Sequence, residues 1–203
     1  MSSPIVKSEI YAVRIIREGY VRDPKDAIEY EYNNFASFGW FTRGSIKELT
    51  HHSFDLVSER LSNIKEIGLH RLQLEQVPDA VLYIKRGLKY NYLLAGHSSL
   101  MQMTITYLFK LIGEKQTNEE TMEAEIQALL DDFNRQPEKY QDKIDKIHKQ
   151  LDDVKEIMHR NIEDVLNRGE KIDNLMIKAD HLSQSSKTFY IGAKKLNRCC
   201  TIL

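Results

Sequence analysis

Residues 151–182 read LDDVKEIMHRNIEDVLNRGEKIDNLMIKADHL, and apolar residues recur there at alternating steps of three and four. The same register extends from position 144 to position 196, with no proline between 140 and 198. A strict 3.5-residue repeat of this length predicts a left-handed coiled coil. A helix over 140–198 would extend about 80 Å, beyond a domain of this size, and so requires partners. The inward positions are Ile144, Ile147, Leu151, Val154, Met158, Asn161, Val165, Arg168, Ile172, Leu175, Ala179, Leu182, Ser186, Phe189, Ala193 and Leu196.

Arg168 stands near the middle of this otherwise mostly apolar stripe. Burying a guanidinium in an apolar seam is costly unless hydrogen-bond acceptors meet it, so pairing between identical helices is unfavourable. We therefore expect Arg168 to find polar partners on other chains. The alternative is a surface helix with a fortuitous repeat, from which Arg168 reaches water.

The composition excludes several classes of protein. The 203 residues are 41% hydrophobic and 29% charged, and the formal net charge is -1, which argues against a nucleic-acid binder. The N-terminus lacks the apolar run of a secretory signal, and Ser2 stands where myristoylation needs glycine. No run approaches the roughly 18 apolar residues of a membrane-spanning helix. We expect a cytoplasmic chain that contacts membranes only through its C-terminal tail.

The first 135 residues predict a mixed domain with the order β-β-α-β-β-β-α-α. The second strand is expected at 35–43 (FASFGWFTR), and Ser45 with Glu48 predicts a capping box at the start of the following helix. Short connections favour antiparallel neighbours among the later strands. Pro137 marks a linker or the first turn of a new element. The predicted divisions are 1–135, 136–198 and 199–203.

No pattern of catalytic or cofactor-binding residues emerges. The sequence has no phosphate-binding G-x-x-x-x-G-K-[ST] loop, no nucleophile elbow and no H-E-x-x-H. His51 and His52 are adjacent and point to different faces of a helix, so a shared metal is not expected, and His148, His159 and His181 are expected to be solvated. We predict no enzyme activity, cofactor or metal. Six aromatic residues suit the core of a sheet better than a ligand groove, and they are Tyr30, Tyr32, Phe35, Phe38, Trp40 and Phe41.

The last residues, NRCCTIL (197–203), contain both cysteines of the chain. Residues 200–203 fit the C-a-a-X pattern, which predicts prenylation of Cys200, and Leu203 favours geranylgeranyl over farnesyl. One lipid anchors a protein only marginally, so Cys199 is the candidate for S-acylation. The alternative is that the paired cysteines are incidental to a disordered terminus. Basic residues that could attract anionic lipids are Lys187, Lys194, Lys195 and Arg198.

The central arginine lies in an L-x-R-G/D-x-K context formed by Leu166, Arg168, Gly169 and Lys171. With this motif, residues 151–182 closely resemble the core motif of the R-SNAREs. Together with SSKTFYIGAKKLNRCC and a preceding α/β domain, the chain resembles the lipid-anchored longin-domain R-SNAREs, which have a double cysteine in place of a transmembrane segment. The resemblance implies an α+β, profilin-like longin domain, with a five-stranded antiparallel sheet and helices on both faces, followed by a long coiled-coil SNARE helix.

The resemblance also implies a function. Arg168 would form the ionic layer of a four-helix bundle with three glutamine-bearing Q-SNARE helices, and bundle formation would drive fusion of vesicle membranes. A prenyltransferase would modify the tail, and the chain would cycle from the cytoplasm to the cytosolic face of Golgi, ER, endosomal or vesicle membranes. Two alternatives stay open: a lipid-anchored adaptor or tether without fusion activity, and an N-terminal domain that promotes acyl transfer to Cys199.

In such proteins the longin domain folds back on its own SNARE helix, partly through apolar side chains of its first helix. Here LTHHSF (49–54) brings mainly polar residues to that region, namely Thr50, His51, His52 and Ser53. Phe54 is the residue expected to supply the apolar contact.

Overall fold

One antiparallel sheet of five strands organises the chain, which a computed structural model describes at residues 9–19, 27–65, 67–74, 79–116, 120–151 and 172–199. The strands are Ile10–Arg17 (β1), Ile28–Asn33 (β2), Gly68–Gln73 (β3), Ala80–Arg86 (β4) and Tyr90–His97 (β5). Their spatial order is β2-β1-β5-β4-β3, so the first and last strands of the sequence pair at the centre.

The central strand pair explains why the sheet is covered on both faces. In β1 all residues except the last are buried, and Val13 and Ile15 lie opposite Leu94 and Tyr92 of β5. A near-continuous apolar strand needs cover on each side. The turn from β4 to β5 requires Gly87, because a Cβ there would lie 2.5 Å from the carbonyl oxygen of Tyr90.

Six helices accompany the sheet in the described part of the chain. They are Trp40–Arg60 (α1), Gln102–Lys115 (α2), Met122–Arg135 (α3), Gln141–Leu151 (α4), Ile172–Lys178 (α5) and Gln184–Cys199 (α6). Short 3₁₀ segments occupy Leu61–Asn63 and Pro137–Tyr140. The predicted order of strands and helices before residue 136 is therefore confirmed, as is the longin-like α+β fold.

The two sheet faces carry different helices. Ile46, Phe54 and Val57 of α1 pack with Leu82 and Leu93 in one core cluster. On the other face α2 and α3 pack over the sheet through Ile105, Phe109, Ile126, Leu130 and Phe133. Tyr140 and Ile144 belong to this second cluster, so contacts cross the predicted boundary between residues 135 and 136.

Two local predictions were wrong at the start of α1. The second strand lies at Ile28–Asn33, not at 35–43, and α1 begins at Trp40, before the predicted capping box. The guanidinium of Arg43 donates to the carbonyl oxygens of Ala36 and Phe38 at 2.8 and 3.1 Å, and these bonds hold the aromatic stretch in a turn. Ser45 is buried inside the helix, and Glu48 bonds elsewhere.

The heptad segment also differs from the single uninterrupted helix expected over 140–198. Residues 179–183 form a turn between α5 and α6, and residues 152–171 lie outside the described part. The hydroxyl of Ser183 accepts a hydrogen bond from the backbone N–H of Ser186 at 3.3 Å, which caps α6. The turn lets both C-terminal helices follow the surface of α1.

Candidate functional site: the C-terminal helices against α1

The candidate site is the interface at which α5 and α6 cover the outer face of α1. Leu49 and Leu56 are seven residues apart and therefore lie on one face of α1, beside the face that packs on the sheet. Leu49 is 1% exposed and Met176 of α5 is also 1% exposed. The interface cluster consists of Leu49, Leu56, Met176, Ala179, Leu182 and Tyr190, with Leu175 and Phe189 half-buried at its edge.

A carboxylate from α1 meets the start of α6 at one end of this interface. Glu48 Oε2 accepts hydrogen bonds from the Ser186 hydroxyl at 2.7 Å, the Ser183 hydroxyl at 2.8 Å and the Ser183 backbone N–H at 3.0 Å. A negative charge is favourable at a helix N-terminus. Burial raises the pKa of Glu48, but the hydrogen bonds from Ser186 and Ser183 outweigh it and leave the pKa below its usual value.

Two histidines meet in the middle of the interface. His52 Nδ1 and His181 Nε2 lie 2.9 Å apart, and the two rings cross at 70° with centroids 4.5 Å apart. Burial, and then the neighbouring His181, lower the pKa of His52. The lowered pKa favours the neutral form of the His52 ring in this hydrogen bond.

Charged groups support the α1 side of the histidine pair. Arg14, on buried β1, donates to Asp55 Oδ1 at 2.6 Å and to Glu31 Oε1 at 2.5 Å. The carboxylate of Asp55 lies one turn after His52, and one ligand atom from each of Asp55, His52 and His181 lies within 4.8 Å of the other two. Among the described residues, these three form a group that could hold a metal ion.

Phe54 does not take the role expected of it. Its ring is 1% exposed and packs against the sheet, and Leu49 and Leu56 form the apolar contact with the C-terminal helices instead. His51 also points away from the interface, with Nε2 2.6 Å from Asn33 Oδ1. The expectation that His51 and His52 face different directions is confirmed.

The aromatic residues of 30–41 divide between core and surface. Tyr30, Tyr32 and Phe35 are buried, as expected of a sheet core, and Phe38 is half-buried against Tyr11. Trp40 is 82% exposed and Phe41 is 95% exposed, so the core prediction was wrong for these two. Both stand in the first turn of α1, whose inward face is taken by later residues.

The structure shows where some residues of the predicted coiled-coil stripe lie. Ile144 is buried in the core with α2 and α3, whereas Ala179, Leu182 and Ser186 are buried against α1. Leu175, Phe189 and Ala193 are half-buried. Ile147, Leu151, Ile172 and Leu196 lie in described helices whose side chains at those positions are not described.

Several predicted residues lie outside the described residues. These include the proposed ionic-layer Arg168, with its stripe neighbours Val154, Met158, Asn161 and Val165, and the proposed prenylation site Cys200. Cys199 is the last residue of α6. The role of each remains a prediction.

Sequence reasoning missed the residues that hold the interface together. Met176 and Tyr190 directly follow the stripe positions Leu175 and Phe189, yet they are more deeply buried than those neighbours. The face that docks on α1 is therefore rotated slightly from the heptad seam. The adjacent apolar residues of 175–177 and 189–191 were a sequence signal for a second contact face. No sequence pattern indicated that Glu48, His52 and His181 belong to the interface.

In the part of the chain that the structure describes, no helix has the length and apolar character needed to cross a membrane.

Comparison with known proteins shows a family match for the C-terminal segment. Residues 143–202 match the Synaptobrevin family. The chain is 30% identical over 204 residues to "Synaptobrevin homolog ykt6" of Schizosaccharomyces pombe, an alignment that covers 96% of this chain and 99% of that protein. It is 31% identical over 179 residues to "VAMP-like protein YKT61" of Arabidopsis thaliana, with 84% and 88% covered. The Saccharomyces cerevisiae "Synaptobrevin homolog YKT6" is 28% identical over 208 residues, with 96% and 99% covered.

Proposed function

The chain belongs to the Ykt6 family of synaptobrevin homologues, which are non-enzymatic longin-domain R-SNAREs of vesicle trafficking, and from that premise we propose that its segment 140–198 forms one helix of a parallel four-helix bundle. Three Q-SNARE helices on the opposing membrane supply the others. Arg168 sets the register by donating to their central glutamines in a water-excluded layer. Successive burial of the apolar layers provides the work that draws the two membranes together.

The observation that carries this proposal is the heptad register itself, interrupted at its centre by Arg168. An apolar stripe of this length is not stable in water, so it needs cover from other helices. In the structure α1 covers the C-terminal part of the stripe, at Ala179, Leu182 and Ser186. In the proposed bundle, Arg168 requires partner helices that carry hydrogen-bond acceptors.

The interface with α1 supplies the regulation of the proposed bundle. Ala179 and Leu182 cannot pack against α1 and against Q-SNARE helices at once, because each side chain has one buried environment at a time. The docked arrangement therefore competes with assembly, and a partner binds only the fraction of molecules in which α5 and α6 are released.

The tail carries the proposed membrane anchor. A prenyltransferase attaches an isoprenoid to Cys200, and S-acylation of Cys199 adds the second lipid that stable anchoring requires. The anchored chain acts on the cytosolic face of Golgi, ER, endosomal or vesicle membranes, to which it cycles from the cytoplasm. Because α6 ends at Cys199, force from a zippering helix passes directly to the lipids.

Affinity purification of the full-length protein from detergent-solubilised membranes tests the proposal. Wild type is compared with Arg168→Leu and with the control Arg160→Leu, which changes an arginine outside the heptad stripe. We expect wild type and the control to recover helical proteins with a central glutamine, and Arg168→Leu to recover less of them. Recovery of only the protein itself, or of a coat or tether unaffected by Arg168→Leu, would replace fusion with the adaptor role.

A further inference from the structure

We propose that His52, Asp55 and His181 form a zinc site that fastens α1 to the turn between α5 and α6. The three residues come from two parts of the chain, since His181 lies 129 positions after His52. They meet only when the C-terminal helices dock. The ion would therefore bind the docked arrangement and not the released one.

The spacing of the two imidazoles suits a bridging metal. His52 Nδ1 and His181 Nε2 face each other at 2.9 Å. Zinc takes nitrogen ligands at about 2.0–2.1 Å with tetrahedral angles, which puts two such nitrogens about 3.3 Å apart. The rings need to separate by about 0.4 Å and to turn so that both lone pairs point at the ion. The proton that the two nitrogens share in the metal-free form moves, through solvent, to Nδ1 of His181, so both imidazoles bind as neutral ligands.

The tautomer of His52 also suits a ligand. When Nδ1 accepts the hydrogen bond from His181, the proton of the neutral His52 ring lies on Nε2, which is buried in the interface. Such an arrangement leaves the Nδ1 lone pair directed at the metal.

Asp55 completes the set of protein ligands. Its carboxylate lies close enough for one oxygen to join the two nitrogens, with all three ligand atoms within 4.8 Å of one another. Arg14 donates to Oδ1 at 2.6 Å and so fixes the orientation of the carboxylate. Two imidazoles and one carboxylate form a known type of three-residue zinc set, with water as the fourth ligand. Because His181 is exposed, ion and water can enter from solvent.

Zinc binding would shift the equilibrium between the docked and released C-terminal helices. An ion that binds only the docked arrangement stabilises it in proportion to its concentration relative to its dissociation constant. Zinc would thus reduce the fraction of molecules with α5 and α6 released. This consequence for assembly rests on the function proposed above, but the binding of zinc does not.

The test is a zinc titration of the full chain by calorimetry, with Cys199→Ser and Cys200→Ser in every protein because the thiols would bind zinc themselves. We expect one equivalent to bind the parent. His52→Asn and His181→Asn should each weaken binding at least tenfold, whereas the adjacent control His51→Asn should leave it unchanged, because His51 faces Asn33. His181→Asn alters an exposed turn residue, and circular dichroism checks that the fold is kept.

Hydrogen exchange in the same proteins tests whether zinc holds α5 and α6 on α1. Zinc should slow exchange of the α6 amides in the parent and have no effect in His181→Asn. Absence of a one-equivalent site, or equal binding by the parent and both ligand variants, would overturn the site. Binding without slower exchange in α6 would overturn the fastening. No membrane or partner helix enters either assay, so a failure here is distinct from a failure of the fusion proposal.

Discussion

Met176→Ala should release the C-terminal helices while leaving the longin sheet intact. Met176 is 1% exposed and packs in the interface cluster with Leu49 and Leu56, away from both sheet cores. Truncating a buried methionine to alanine costs about 2–5 kcal/mol, depending on how far the site collapses. If the docked helices open as a unit, the free energy needed to open them decreases by this whole amount. At tenfold per 1.4 kcal/mol, the open fraction should rise between about 30-fold and a few thousand-fold.

Native-state hydrogen exchange of backbone amides measures this opening directly. Amides of α6 should exchange faster in Met176→Ala by the same factor, whereas amides of β1 and β5 should keep their protection. Asn174→Ala is the matched control, because Asn174 is exposed on the same helix. Unchanged protection of α6 would refute the reasoning that Met176 holds the interface. An equal loss of protection in β1 and β5 would refute the separation of the C-terminal helices from the domain.

Three further predictions concern single contacts. Because the pKa of Glu48 is lowered by docking, its contribution is complete above the ordinary carboxyl pKa and is lost as pH falls through the lower docked value. Protection of the α6 amides should therefore fall as the solution is acidified below about pH 4.5, and Glu48→Gln should remove this loss of protection. Tyr32→Phe removes a buried hydroxyl that donates to Asp131 at 2.9 Å, and should lower the free energy of unfolding by about 1–3 kcal/mol in urea titrations; an unchanged midpoint would contradict this. Gly87→Ala places a methyl group against the carbonyl of Tyr90 and should lower the free energy of unfolding by about 1–3 kcal/mol, which thermal unfolding would show as a lower midpoint. A gain in stability would show that the turn can move aside.

Elements that depend on local pattern were predictable from the sequence. The strand β3 alternates, β4 is an almost wholly apolar run, and α2 and α3 carry apolar residues at helical spacing, so a short window of sequence contains each signal. The second strand was misplaced because its predicted stretch is rich in aromatic residues, yet the side chain of Arg43 holds that stretch in a turn. A contact between Arg43 and two carbonyl groups is a property of the folded loop and has no counterpart in residue periodicity.

The interface was harder to predict because its contacts join distant positions. Glu48 suits a capping box by local pattern, but its carboxylate reaches Ser183 and Ser186 of a helix far along the chain. His181 was expected in solvent, and it is exposed, yet it also meets His52. A sequence pattern shows which face of a helix is apolar, and it does not show which surface covers that face.

The small rotation between the docking face and the heptad seam allows docking on α1 to be changed separately from the proposed bundle layers. Ala179, Leu182 and Ser186 are buried against α1 and also occupy layers of the proposed bundle, so changing them should alter docking and the proposed layers together. Met176 and Tyr190 are buried against α1 but lie outside the heptad register. Substitutions at these two positions should therefore raise the fraction of released molecules without altering any layer, and the apparent affinity for Q-SNARE helices should rise in proportion to that fraction until release is complete. Equal affinity in wild type and Met176→Ala, with α6 shown to be released, would mean that docking does not limit assembly.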